Sequence, residues 1–212
     1  MGAVSWTNVL GLYIPLVVSL SIHEWAHAFT AWTLGDPTAE EHGRLTLNPL
    51  PHLDLIGTVV LPLVILLSRS PFLFGWAKPV PVDPTRFRKG VKVFPGMLLV
   101  SLAGPFSNLV LAFLFAFSLR LCDRFSWGKD ALLQGLYMGL VLNVLLAVFN
   151  LAPIPPLDGH RLLPPRVQRK LMPFSTVLFL VFLVAIWRYQ GILGAPVDFL
   201  SRGILDLAGL VV

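Results

Sequence analysis

The chain has 212 residues, of which 56% are hydrophobic and 13% charged, with a formal net charge of +5 and a mean hydropathy of +0.77. That is far more apolar than a soluble domain of this length, and the basic residues fall in loops between apolar segments, a pattern of membrane topology that argues against nucleic-acid binding. One cysteine, Cys122, excludes an internal disulfide and a thiolate metal cluster.

The first apolar segment covers about residues 8–34, long enough to cross a bilayer. It lacks a basic leader and runs on into Ser21-Ile22-His23-Glu24-Trp25-Ala26-His27, so it does not read as a cleavable signal peptide. Pro15 is expected to kink it. On a helix, His23 and His27 share a face one turn apart and reach one metal ion, while Glu24 projects to the flank, where it can touch a water. His-Glu-x-x-His is the spacing of a catalytic zinc site with a built-in general base. The bland reading, two packed histidines and a stray acid, conflicts with a setting in which no charged residue precedes Glu24.

Gly35-Asp36-Pro37 ends the segment, and alternation from Gly43 to Asn48 predicts a short β-strand. Residues 53–74 are apolar again, broken by Pro62, Arg69 and Pro71, and either cross the membrane or re-enter it. Residues 75–82 read as extended. Pro79 and Pro81 remove N–H groups along one edge, which leaves the other edge free to pair in a membrane-associated β-hairpin. Arg86, Arg88, Lys89 and Lys92 form a basic loop.

Spans are predicted at about residues 97–121 and 131–152. Gly104, Asn108 and Ala112 make a small-and-polar stripe in the first, and Gly135, Gly139, Asn143 and Ala147 one in the second, with Asn150 near its end. Asn143 is assigned to packing. A proline-broken stretch leads to Asp158-Gly159-His160, followed by a second basic cluster of Arg161, Arg166, Arg169 and Lys170. A short span covers about residues 174–187. The tail places Asp198, Arg202 and Asp206 on one face, as an interfacial helix or a sixth span with an inward polar stripe. Trp6, Trp76, Trp127 and Trp187 fall near predicted membrane interfaces. The fold class is therefore an all-α polytopic membrane protein with five to six transmembrane helices and a short β-hairpin. It is a single domain over residues 1–212, with a core at about 8–165 and C-terminal helices at about 174–212.

A catalytic zinc site usually takes three protein ligands and a water. His42 and His52 lie in loops near the first helix and either could ligate. Asp158 has the stronger chemical claim, because it follows a proline break and precedes a glycine, and so can turn inward; its bland role is to cap a turn. His160 beside it is either a partner that orients it or a solvated loop histidine. A metal transporter or inactive zinc scaffold would explain the histidines, but not the acid between them. A haem protein usually takes its axial histidines from different helices.

Three ordered motifs, His23-Glu24-Trp25-Ala26-His27, Gly104-Pro105-Phe106-Ser107-Asn108 and the stretch from Asn150 to Asp158-Gly159, make residues 20–165 resemble the site-2 protease family of intramembrane zinc metalloproteases. The resemblance implies one zinc per chain held by His23, His27 and Asp158, with Glu24 as general base. It implies that Asn150 holds the substrate carbonyl or oxyanion, with Asn108 a weaker candidate for that task. It also implies a multi-pass cell-membrane enzyme that cuts transmembrane segments of membrane proteins or remnant signal peptides, with the bilayer as its other partner and no nucleic acid. Neither a PDZ nor a CBS domain is expected. In that family the metal-binding helix runs parallel to the helix leading to the aspartate, which favours re-entry of residues 53–74. The positive-inside rule leans the same way and puts the basic loops on the cytoplasmic side.

Overall fold

The computed structural model describes residues 6–68, 75–189 and 191–210; Arg69, Pro71 and Phe74 lie outside them, as does the side chain of Trp6. The helices in order are α1 (Trp6–Thr33), α2 (Thr38–Glu41), α3 (Leu61–Leu67), α4 (Val93–Arg124), α5 (Asp130–Asn150), α6 (Pro165–Leu171), α7 (Ser175–Arg188) and α8 (Gly191–Leu207). Among the described residues, three stretches are long and apolar enough to cross a membrane where five to six were expected: Val93–Arg124, Asp130–Asn150 and Pro165–Arg188. The last joins α6, a short 3-10 turn and α7, which lengthens a span that looked short in sequence. At 28 residues, α1 has the length, about 42 Å at 1.5 Å per residue.

The centre of the molecule is α4 packed along both α1 and α5. His23 and His27 face Asn108 and Val100 in turn, so α1 and α4 are antiparallel. Ser19 meets Asn143, and Leu16 and Leu20 cluster with Leu142, so α1 and α5 run parallel, as expected. The predicted small-residue stripes face inward over most of their length: Gly104, Asn108 and Ala112 of α4 and Gly139, Asn143 and Ala147 of α5 are buried, while Gly135 is half-buried. Close approach requires this, since a Cβ on Gly139 would stand 2.7 Å from the Phe115 ring. Helix α8 corrects the idea of an inward polar stripe. Val197, Ser201 and Leu205 are buried, the first and last in a cluster with Ala112, Ala116, Leu140 and Val144, while Asp198, Arg202 and Asp206 are exposed. Its apolar face is therefore satisfied by protein.

Residues 53–68 lead away from the bundle, and the chain from Gly75 onward lies back beside their start. Asp54 caps a π-helical turn, Leu55–Val60, by accepting from the N–H groups of Ile56 and Gly57. The helix then continues to Leu67, about 20 Å from its start at 1.5 Å per residue, short of the roughly 30 Å hydrocarbon core. On return, the Trp76 N–H donates to Gly57 C=O (3.1 Å) and the Lys78 N–H to His52 C=O (2.9 Å). The indole of Trp76 lies on Gly57, where a Cβ would come within 2.3 Å of it.

No strand occurs among the described residues, so the expected β-hairpin is absent. Between residues 44 and 50 the side chains compete for the backbone: Thr46 Oγ1 accepts from Asn48 N–H, and Asn48 Oδ1 accepts from Leu50 N–H. Residues 75–82 are extended as predicted. Their unblocked edge, however, is bonded to loop and side-chain groups and forms no ladder. Arg44, buried, bridges the two segments by donating to the carbonyls of Lys78 (3.2 Å) and Pro79 (2.7 Å).

The approach to α4 is fastened to the end of α1. Gly35, at φ +106°, turns the chain away from the helix in a conformation suited to glycine. Asp36 is fully buried and accepts from the N–H groups of Thr38 and Asp83. Arg86 pairs with Glu41 through two 2.6 Å bonds, which hold the exposed Glu41 carboxyl below its ordinary range.

Candidate metal centre

His23 and His27 project from one face of α1, their rings perpendicular with centroids 4.6 Å apart. Asp158 begins a 3-10 turn, Asp158–Leu162, beyond the proline break that follows α5. That turn folds back so tightly that a Cβ on Gly159 would lie 2.2 Å from the Leu151 carbonyl oxygen. Asp158 Oδ2 stands 3.2 Å from Nε2 of each histidine, and the two Nε2 atoms are 3.0 Å apart. A tetrahedral ion with bonds of about 2.0–2.1 Å would separate its ligand atoms by roughly 3.3 Å. The observed triangle is that size.

The hydrogen bonds on the far sides of the rings specify what the triangle contains. His27 Nδ1 is 2.7 Å from the Val100 carbonyl, which only accepts, so Nδ1 carries the proton. His23 Nδ1 is 2.6 Å from Asn108 Oδ1, another acceptor. In the neutral rings both Nε2 atoms are then lone pairs aimed at each other and at a carboxylate oxygen. Three converging acceptors with no hydrogen between them repel unless a cation sits among them. The donor set, two imidazoles and one carboxylate, suits zinc.

Glu24 is 9% exposed and turns to the same cavity, where its Oε2 accepts from the Val80 N–H at 2.9 Å. The cavity holds about 690 Å³ and is bordered by the extended segment, the start of α4 and the turn carrying Asp158. Asn150 lines it as the last residue of α5, with one amide hydrogen committed to the Leu146 carbonyl (3.0 Å) and the other left over. His160 also lines it and is buried, not solvated; its Nδ1 bonds the Leu157 carbonyl (2.6 Å), and among the described residues it makes no hydrogen bond to Asp158. His42 and His52 do not join the cluster. His42 binds the Thr38 carbonyl at the surface, and His52 is buried against the Thr46 carbonyl in the returning loop.

The sequence placed Gly104 in a packing stripe without showing its part in this centre, and gave no sign of the Val100 carbonyl or the Val80 N–H. A Cβ on Gly104 would fall 2.4 Å from His27 Nε2 and 2.6 Å from His23 Cε1, so the α4 backbone presses directly against both rings. Its signal was the four-residue spacing from Gly104 to Asn108, which puts the glycine and the partner of His23 on one helix face.

Over 187 residues the chain is 43% identical to "Putative zinc metalloprotease YwhC" of Bacillus subtilis, an alignment covering 82% of this chain and 78% of that one. The chain belongs to the site-2 protease family. Two further family relatives named "Putative zinc metalloprotease Rip2" are 34% identical over 200 residues in Mycolicibacterium smegmatis and 36% over 186 in Mycobacterium tuberculosis. They cover 86% and 82% of this chain, and 73% and 68% of their own lengths. Membership assigns the chain to the zinc metalloprotease class of enzymes. No protein-family profile matches it, and no solved structure matches it.

Proposed function

We propose that the chain is an intramembrane zinc metalloendopeptidase, multi-pass in the cell membrane, with one zinc held by His23, His27 and Asp158. The observation that carries this reading is the triangle of lone-pair atoms, 3.0–3.2 Å on a side, beside a buried glutamate. Zinc, when bound, supplies a Lewis acid that polarises water and the scissile carbonyl.

The protein's own groups do the remainder. Glu24 takes a proton from the attacking water and returns it to the leaving amine. The Val80 N–H holds its Oε2 and so orients the carboxylate, whose second oxygen can take the proton. Asn150 turns its free amide hydrogen to the carbonyl oxygen as charge develops there. The substrate reaches the cavity unwound, because a helical peptide bond is closed off by its own hydrogen bonds. Residues 76–82 run along the cavity and are the element against which an extended substrate pairs. The N–H groups of Trp76, Lys78 and Val80 are engaged and Arg44 holds the Pro79 carbonyl, so that pairing draws on the acceptor capacity that remains along the edge. Substrates are transmembrane segments of membrane proteins or remnant signal peptides.

Glu24→Gln tests the reading. The purified variant keeps its zinc and loses turnover by about 10²–10⁴-fold, the contribution typical of a positioned general base. A variant that still cleaves at the native rate, or a native protein that takes up no zinc, overturns it.

A further inference from the structure

A buried line of polar side chains leaves the metal centre and crosses the bundle. His23 Nδ1 donates to Asn108 Oδ1 (2.6 Å), Asn108 Nδ2 to Asn143 Oδ1 (2.9 Å), and Asn143 Nδ2 to Ser19 Oγ (2.9 Å). The Ser19 hydroxyl donates onward to the Pro15 carbonyl (2.6 Å). The line visits α1, α4 and α5 and returns to α1 one turn before His23. Asn108, Asn143 and Ser19 are all 0% exposed, so no solvent competes for these bonds.

Its direction is forced. Asn143 Nδ2 also meets the Gly139 carbonyl at 2.8 Å, and a carbonyl only accepts. Turning the Asn143 amide over would set oxygen against that carbonyl. Asn143 must therefore present its oxygen to Asn108, Asn108 its N–H₂ to Asn143, and Asn108 its oxygen to His23. His23 is left with one arrangement, Nδ1 protonated and Nε2 bare.

We propose that Asn108 and Asn143 are positioning residues, a relay that locks His23 in the tautomer whose Nε2 lone pair faces the metal position. The proposal rests on the zinc reading above and adds two residues to it, one of which touches neither His23 nor the cavity. Interhelical packing alone would explain Asn143 as a filler of space. It would not explain why its amide is oriented by a backbone carbonyl, with the orientation handed on through a second amide to a ring nitrogen. A partner on the far nitrogen of a metal-binding histidine is typically worth 10–100-fold in metal affinity.

The test uses the full chain purified in detergent. Zinc affinity is measured by competition with a chromogenic chelator, and the His23 tautomer by ¹⁵N NMR of the metal-free protein. Asn143→Leu keeps the branched outline of the side chain and removes the orientation of Asn108; zinc affinity falls about 10–100-fold, and the Nε2–H form of His23 appears. Asn108→Ala does the same. Asn108→Asp still accepts the Nδ1 proton, although its second oxygen opposes Asn143 Oδ1, so zinc affinity and tautomer stay closer to native than in Asn108→Ala. Should Asn143→Leu fail to fold by circular dichroism, the Asn108→Ala and Asn108→Asp pair decides on the same readouts. Folded Asn143→Leu or Asn108→Ala protein with native zinc affinity and an unchanged tautomer overturns the relay. A native chain that binds no zinc yet shows His23 held with Nδ1 protonated, and released in the variants, overturns the metal reading and leaves the relay standing.

Discussion

At the scale of single residues, the proposed metal centre depends as much on the side chains its glycines lack as on those present. Gly104 is the clearest case, because the α4 backbone occupies the space any side chain would take from the two imidazoles. Gly104→Ala should displace His23 and His27 against tightly packed neighbours, at a cost of about 1–3 kcal/mol. The expected result is a folded protein whose zinc content falls well below one per chain by metal analysis, and full zinc loading would contradict the close contact. Gly159→Ala should act likewise through Asp158, since its Cβ would overlap the Leu151 carbonyl. Much of this was legible beforehand. The His-Glu-x-x-His spacing puts His23 and His27 together on any helix, whatever surrounds it. Asp158 was favoured by its proline break, but His42 and His52 stayed open until family resemblance was added. No periodicity links a loop aspartate to a helix so far away in sequence. The sequence shows Gly104 as part of a packing stripe, and only the folded arrangement shows that what it packs against is His23 and His27.

Among the elements, residues 75–82 show why composition and alternation predict extension better than pairing. The prolines were read correctly as an edge without donors, yet the opposite edge turned out to be engaged by His52, Glu24 and Gly57. Strand pairing is a property of what lies alongside, and here Thr46 and Asn48 divert the neighbouring backbone into side-chain bonds. Arg44 takes over the joining role. Removing its guanidinium leaves two inward carbonyls unpaired, a loss of about 1–3 kcal/mol. Arg44→Met is therefore expected to loosen the extended segment from the cavity while the zinc centre, carried by α1 and the turn after α5, persists. Cleavage should drop about tenfold or more with zinc content unchanged. Parallel loss of zinc would mean that the segment supports the metal centre itself.

For the whole molecule, the arrangement of α1, α4 and α5 decides where the chain ends lie relative to the bilayer. Helices α1 and α5 run parallel with α4 reversed between them, so the connection from α1 to α4 stays on one side unless residues 53–75 cross. Trp76 and Lys78 bond back to Gly57 and His52 near the start of that stretch, and α3 is too short to span the hydrocarbon core. The basic loop at Arg86, Arg88 and Lys89 then shares a face with Thr46, while the α4–α5 connection at Lys129 lies on the other. The chain's single cysteine, Cys122, sits near that far end of α4 and must be replaced by serine before labelling. In that background, single cysteines at Thr46 and Lys89 should react with a membrane-impermeant maleimide from the same side of sealed vesicles. A cysteine at Lys129 should react from the opposite side. Labelling of positions 46 and 89 from opposite sides would show that residues 53–75 cross after all. Parallel packing of α1 and α5 could then be kept only if α4 failed to cross. The maleimide pattern at position 129 reads that out directly.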